Sequence, residues 1–123
     1  MSDGRRYLPL SPQQFHIPLA LTDDHLHGYG IIRDIAVRTG GALRLGTGTL
    51  YTALARLNAL ALVDESDRRP RAADDDERRR YYRLTPLGRA VVAAETERLD
   101  TLVRHARRKG IHPVRRPALS RSR

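Results

Sequence analysis

The chain has 123 residues, 40% of them apolar, with five Tyr, one Phe and no Trp, which is material for one domain with a modest core of Leu, Val, Ile and Ala. It has no Cys, which excludes a disulfide framework and a thiolate metal site, and its apolar runs are too short and too interrupted by charge to span a membrane. The formal net charge is +9, which suits phosphate backbones or anionic surfaces, although Arg and Ala are abundant beside a single Lys, as a GC-rich genome alone would give. Four Arg lie beyond Gly110, and residues 1–110 keep 19 basic against 14 acidic side chains. Met1–Leu10 lacks an apolar stretch of signal-peptide length, so the expected setting is the bacterial cytoplasm.

Residues 1–10 read as a flexible leader. Ser11-Pro12-Gln13-Gln14 then carries a helix start, with Ser as cap, Pro at the first helical position and Gln as the return arm of a capping box. Phe15, Ile17 and Leu19 are expected to face the core of this helix, with its end near Thr22-Asp23-Asp24. Pro18 has no amide to return to Gln14, which predicts a kink or a later start. His25–Gly30 reads as a turn feeding a second helix over about His27–Arg38, with Ile31, Ile32 and Ile35 near helical spacing and Gly40-Gly41 as the stop. A third helix follows Gly46-Thr47-Gly48 and runs to about Leu60. Its leucines at 50, 54 and 57 make one stripe, and Thr52, Ala55, Arg56 and Ala59 fall on the opposite face, flanked by Thr49 and Tyr51.

Leu62–Ser66 is a short strand candidate, Asp67–Arg79 a charged loop, and Arg80–Leu84 a return strand. Alternation places Tyr82 and Leu84 on one face of that strand and Tyr81 and Arg83 on the other. Thr85-Pro86 opens the last and longest helix, to about Lys109. Val92, Leu99 and Ala106 recur seven apart on it, with Leu102 at a d-like position and Val103 beside it. So small a domain cannot bury two apolar stripes of one helix, so part of this one is expected to meet a second copy. The basic tail 111–123 is expected to be disordered.

The fold class is therefore mainly α with a small β-hairpin: a winged helix-turn-helix domain over residues 11–84, a C-terminal dimerisation helix over 85–110, and the tail. In such a domain the third helix can enter the major groove. Thr47, Thr49, Tyr51 and Thr52 offer hydroxyls to phosphates, and Arg56 reaches a phosphate or a guanine edge. The plainer alternative is a solvated helix with Tyr51 half in the core. Arg68, Arg69 and Arg71 on one arm of the wing and Arg78, Arg79 and Arg80 on the other suit backbone or minor-groove contact, unless Asp74–Glu77 neutralise them. Val92, Leu99, Leu102, Val103 and Ala106 are the dimerisation candidates.

The acidic run lacks EF-hand spacing, His25 and His27 lack further metal ligands nearby, and Gly46-Thr47-Gly48-Thr49 lacks the phosphate-loop lysine. No metal or cofactor and no catalytic group is expected.

Three stretches carry a resemblance: His27-Gly28-Tyr29-Gly30-Ile31; Gly48-Thr49-Leu50-Tyr51 with Leu54 and Arg56-Leu57; and Arg80-Tyr81-Tyr82-Arg83-Leu84-Thr85-Pro86-Leu87-Gly88. Together, over roughly Phe15–Gly110, they resemble the PadR family of transcriptional regulators, in its short subgroup with one C-terminal helix. The resemblance implies a cytoplasmic winged-helix homodimer that binds double-stranded DNA at a roughly palindromic operator, usually as a repressor. It makes Tyr29 the second-helix tyrosine of the DNA face, and Gly48-Thr49-Leu50-Tyr51 the opening of the recognition helix. Many relatives answer to a small-molecule effector, though the short subgroup has a less clear pocket. Pro18, Leu60 and Ala61 depart from the family pattern; Ala61 stands where a glycine usually ends the recognition helix, which weakens a left-handed stop there. The competing function is a winged-helix protein-interaction module whose basic surface meets an acidic partner without specific DNA binding.

Overall fold

The computed structural model describes residues 4–66 and 80–114. A 3-10 turn over Gly4–Tyr7 precedes α1 (Pro12–Ala20), β1 (Leu26–His27), α2 (Gly28–Arg38), α3 (Thr47–Ala59), β2 (Val63–Ser66), β3 (Tyr81–Leu84) and α4 (Pro86–Arg108). This is the expected winged helix-turn-helix followed by a long helix, with one strand more than the hairpin. Arg68, Arg69, Arg71, Arg78 and Arg79 of the expected wing lie outside the described residues, as does the tail from residue 115.

Local signals account for most helix ends. The Ser11 hydroxyl accepts from the Gln14 amide at 3.2 Å, and the Gln14 side chain accepts from the Ser11 amide at 3.0 Å, so two orphan donors of α1 are satisfied reciprocally. Pro18 sits inside the last turn of α1 and is buried. A missing amide this close to the end interrupts little of the ladder, and the helix stops at Ala20 rather than at Thr22–Asp24. Its buried side is Ile17, Ala20 and Leu21; Phe15 and Leu19, expected in the core, are only half-buried. The apolar stripe thus starts two residues later than the first aromatic suggests.

Three helices, α2, α3 and α4, end in the same way. The second residue past the cap region donates back to a carbonyl five residues earlier: Gly41 to Ala36 at 2.7 Å, Leu62 to Leu57 at 3.0 Å and Ile111 to Ala106 at 2.9 Å. The residue before each of these donors adopts positive φ, namely Gly40 at 61°, Ala61 at 65° and Gly110 at 88°. Ala61 therefore makes the left-handed stop that a β-carbon disfavours, at a conformational penalty of about 1–2 kcal/mol for an L-residue. Ala61→Gly is expected to raise the thermal midpoint by a few degrees, the relief being partly offset by the larger entropy of glycine in the unfolded chain. A fall in the midpoint would show that the Cβ of Ala61 contributes packing that outweighs the strain. Leu60, half-buried, packs on the edge of the core.

The core joins α1–α3 to the sheet and to the start of α4 through Ile17, Ile31, Ile35, Leu50, Leu57, Val63 and Val91, none more than 1% exposed. β3 is the central strand, antiparallel to β1 (Leu26 opposite Tyr82, His27 opposite Tyr81) and to β2 (Val63 opposite Leu84, Ser66 opposite Tyr81). Tyr81 and Tyr82 are both buried, against the expected alternation. β1 supplies the reason: the His27 ring lies edge-on to Tyr81, with centroids 5.2 Å apart, and covers the face that a two-stranded hairpin would leave open.

Residues 4–10 are docked, in contrast to the flexible leader expected. Gly4 is buried so close to α4 that a Cβ on it would lie 2.7 Å from the Cα of Val91, and Tyr7, Leu8 and Leu10 pack against the core. The Glu95 carboxylate, 2% exposed, accepts from the Leu10 amide at 3.0 Å and from Arg98 at 2.6 and 2.8 Å. The Arg98 hydrogen bonds, with a smaller share from the Leu10 amide, hold this carboxyl below its ordinary value against the opposing effect of burial.

Candidate nucleic-acid interface

The outward face of α3 is built by default: Leu50, Leu54 and Leu57 are buried, so the residues between them must face water. Thr47, Gly48, Thr49, Tyr51, Thr52, Ala55, Arg56 and Ala59 are all exposed. Gly46 occupies the cap position and provides no side-chain acceptor, so the first amides of the helix point outward without an intramolecular side-chain partner. Such a helix end favours an anion. Between α3 and the first turn of α1 runs a groove of about 530 Å³ lined by Gln13, Gln14, Thr49, Thr52 and Arg56, among others, with no carboxylate in its wall. Arg56 makes no hydrogen bond or ion pair among the described residues.

The start of α2 stands against the start of α3. A Cβ at Gly28 would lie 2.9 Å from Cζ of Tyr51, so the ring packs directly on the glycine and would have to swing aside to admit a side chain there. The Nδ1 of His27 accepts from the Gly30 amide at 3.1 Å and caps α2, and its ring stacks on Tyr29 at 6.4 Å. Tyr29 itself is 64% exposed. His27 is thus engaged by the Gly30 amide and by the rings of Tyr29 and Tyr81, while His25 hydrogen-bonds Ser66. The structure therefore brings Tyr29, Tyr51 and the first turn of α3 to one corner of the domain.

Arg80 is exposed but pairs with Glu65 across the hairpin at 3.2 Å, as Arg83 pairs with Asp64 at 2.6 Å. Exposed pairs of this kind contribute at most about 1 kcal/mol, so Arg80 is tethered weakly. Two cations that sequence patterning did not single out, Arg33 on α2 and Arg44 in the turn before α3, are exposed and without a partner among the described residues. Nothing in the spacing marks them, because freedom from pairing is a property of the folded chain.

On α4 the start is fixed by Thr85. Its hydroxyl bridges the Ala61 and Leu62 carbonyls at 2.7 and 3.0 Å and accepts from the Gly88 amide at 2.9 Å. Val92, expected at a dimer contact, is 7% exposed because its own chain covers the first half of the helix. The open apolar stripe begins later: Leu99, Leu102 and Val103 are 38%, 48% and 44% exposed, with Ala106 half-buried. Among the described residues no helix is long and apolar enough to cross a membrane.

These features agree with comparisons to known proteins. A transposon TN4556 protein of 37.1 kDa from Streptomyces fradiae, itself uncharacterized, is 38% identical over 89 residues, which is 72% of this chain and 23% of that protein. The transcriptional regulator Rv3488 of Mycobacterium tuberculosis is 34% identical over 91 residues, 74% of this chain and 78% of that protein. A crystal structure of a PadR family transcription regulator from Clostridium difficile shares the fold with a TM-score of 0.66 at 22% identity, over 82% of this chain and the whole of that one. The model of the transcriptional regulator PadR-like family matches residues 19–94, from the end of α1 into α4, and the chain belongs to that family.

Proposed function

We propose that this protein is a sequence-specific DNA-binding repressor that acts as a homodimer on a palindromic operator. The observation that carries the reading is the outward face of α3, uncapped by any side chain at its start and presenting small and polar residues with one unpaired Arg56. Such a face approaches a groove closely, and its amides and hydroxyls meet phosphates while Arg56 and Thr52 meet base edges. Support for two copies comes from the stripe Leu99, Leu102 and Val103, which its own chain leaves open. Paired there, two recognition helices at about 34 Å separation read half-sites one DNA turn apart. Repression rests on the family resemblance.

The test is recovery of bound fragments genome-wide, a footprint on the fragments recovered, and titration against salt. Preference for the footprinted fragment over random duplex, with affinity falling steeply as salt rises, is the expected result. Thr52→Ala with Arg56→Ala should alter the preferred site, with about 1–3 kcal/mol lost at the bases read. Equal affinity for footprinted and random DNA, or indifference to salt, would overturn the reading.

A further inference from the structure

Arg33 and Arg44 line one groove of about 460 Å³, together with Tyr29, Ile32, Val37 and Gly41 among others, and no carboxylate lines it. Both guanidinium groups are unpaired among the described residues. Their neighbour Arg38, one turn further along α2, is by contrast engaged by Asp34 at 2.7 Å and by the His16 carbonyl at 3.2 Å. Arg44 folds back over Gly41, where a Cβ would stand 3.2 Å from its Nη2 and where φ is +86°. The turn between α2 and α3 thus has a shape that lets this cation enter the groove. The rest of the wall is apolar, with Val37 72% exposed.

Two cations without counter-ions, beside a strip of aliphatic surface, match an occupant that alternates anionic groups with carbon. A nucleic-acid strand does so, phosphate by sugar. The major groove is bordered by two phosphodiester strands, and a helix lying in it needs cationic or polar groups toward each. The α1 side of α3 has Gln13, Gln14 and Thr49; α2 and the turn into α3 have Arg33, Arg44 and Tyr29. We propose that the α2 groove seats one phosphodiester strand of the bound DNA, with Arg33 and Arg44 donating to its phosphates and Ile32 and Val37 packing on the sugars between. This rests on the reading of α3 as the recognition helix, and adds positioning contacts that hold its register without reading bases.

The experiment compares wild type, Arg33→Gln with Arg44→Gln, and Arg33→Lys with Arg44→Lys. Each is titrated with the footprinted fragment and with random duplex of equal length across a range of salt. The Gln pair is expected to bind both duplexes about tenfold or more weakly, with their ratio unchanged and the slope of log affinity against log salt shallower by about 2. The Lys pair should recover the slope. Arg104→Gln with Arg107→Gln, which removes the same formal charge from the end of α4, should move it much less. Wild-type binding with an unaltered slope in the Gln pair overturns the seat alone, and would hand the groove to an acidic protein segment instead. A wild-type chain that binds neither duplex overturns the DNA reading as a whole, and the seat with it.

Discussion

Gly88→Ala is expected to lower the thermal midpoint by roughly 10–20 °C, the equivalent of about 3 kcal/mol in a domain of this size. The added methyl would overlap the Leu62 carbonyl oxygen and lie 2.7 Å from Cδ1 of Leu84. A flexible side chain could yield, but this oxygen belongs to the backbone that ends α3 and begins β2. It is fixed there by the Thr85 amide at 3.1 Å and the Thr85 hydroxyl at 3.0 Å. Moving α4 away from it would break the contact that joins the long helix to the helix-turn-helix core. Gly30→Ala is the matched control, since a Cβ there meets nothing nearer than 3.5 Å and alanine is the better helix former by about 0.5–1 kcal/mol. Equal melting curves for the two variants would show that the α3–β2 junction yields without loss.

Leu102→Asp is expected to convert the proposed dimer into a monomer while leaving the domain folded. Leu102 is 48% exposed and lies between Leu99 and Val103 on the open stripe of α4, so a carboxylate there disturbs nothing in its own chain. Between two copies, a buried unpaired charge on each would cost several kcal/mol. Sedimentation should show the mass halved with helix content unchanged. Affinity for a two-half-site fragment should fall on the order of 10²–10⁴-fold, since binding by linked modules is lost. Retention of the dimer mass would place the interface elsewhere.

How much of this was legible in the sequence varies with the kind of signal. Ser11-Pro12 with Gln14, Thr85-Pro86 and the Leu50, Leu54, Leu57 stripe act through neighbours within one turn, and the structure realises each. β1 is two residues long and has no period to detect. It covers the second face of β3, which is why alternation alone places Tyr81 on an open face. The docking of residues 4–10 is hidden for a related reason: their anchors, Glu95 and the backbone at Val91, lie some 85 residues away. On the candidate interface, the exposure of Thr49, Thr52 and Arg56 follows from helical geometry alone. The pairing of Arg80 with Glu65 and the freedom of Arg33 and Arg44 are tertiary facts.

Between Gly88 and Gly110 the long helix contains neither glycine nor proline, and its 23 residues span about 35 Å at 1.5 Å per residue. One end is welded to the helix-turn-helix domain through Thr85 and Gly88, and the other carries the open stripe. It is a rod without a hinge. If two copies clasp at the free ends, a rotation of 2° at the clasp displaces the far end by about 1 Å, by the geometry of a rigid arm of that length. Operator spacing would then be a mechanical property, set by the crossing angle of two levers rather than by any residue that touches DNA.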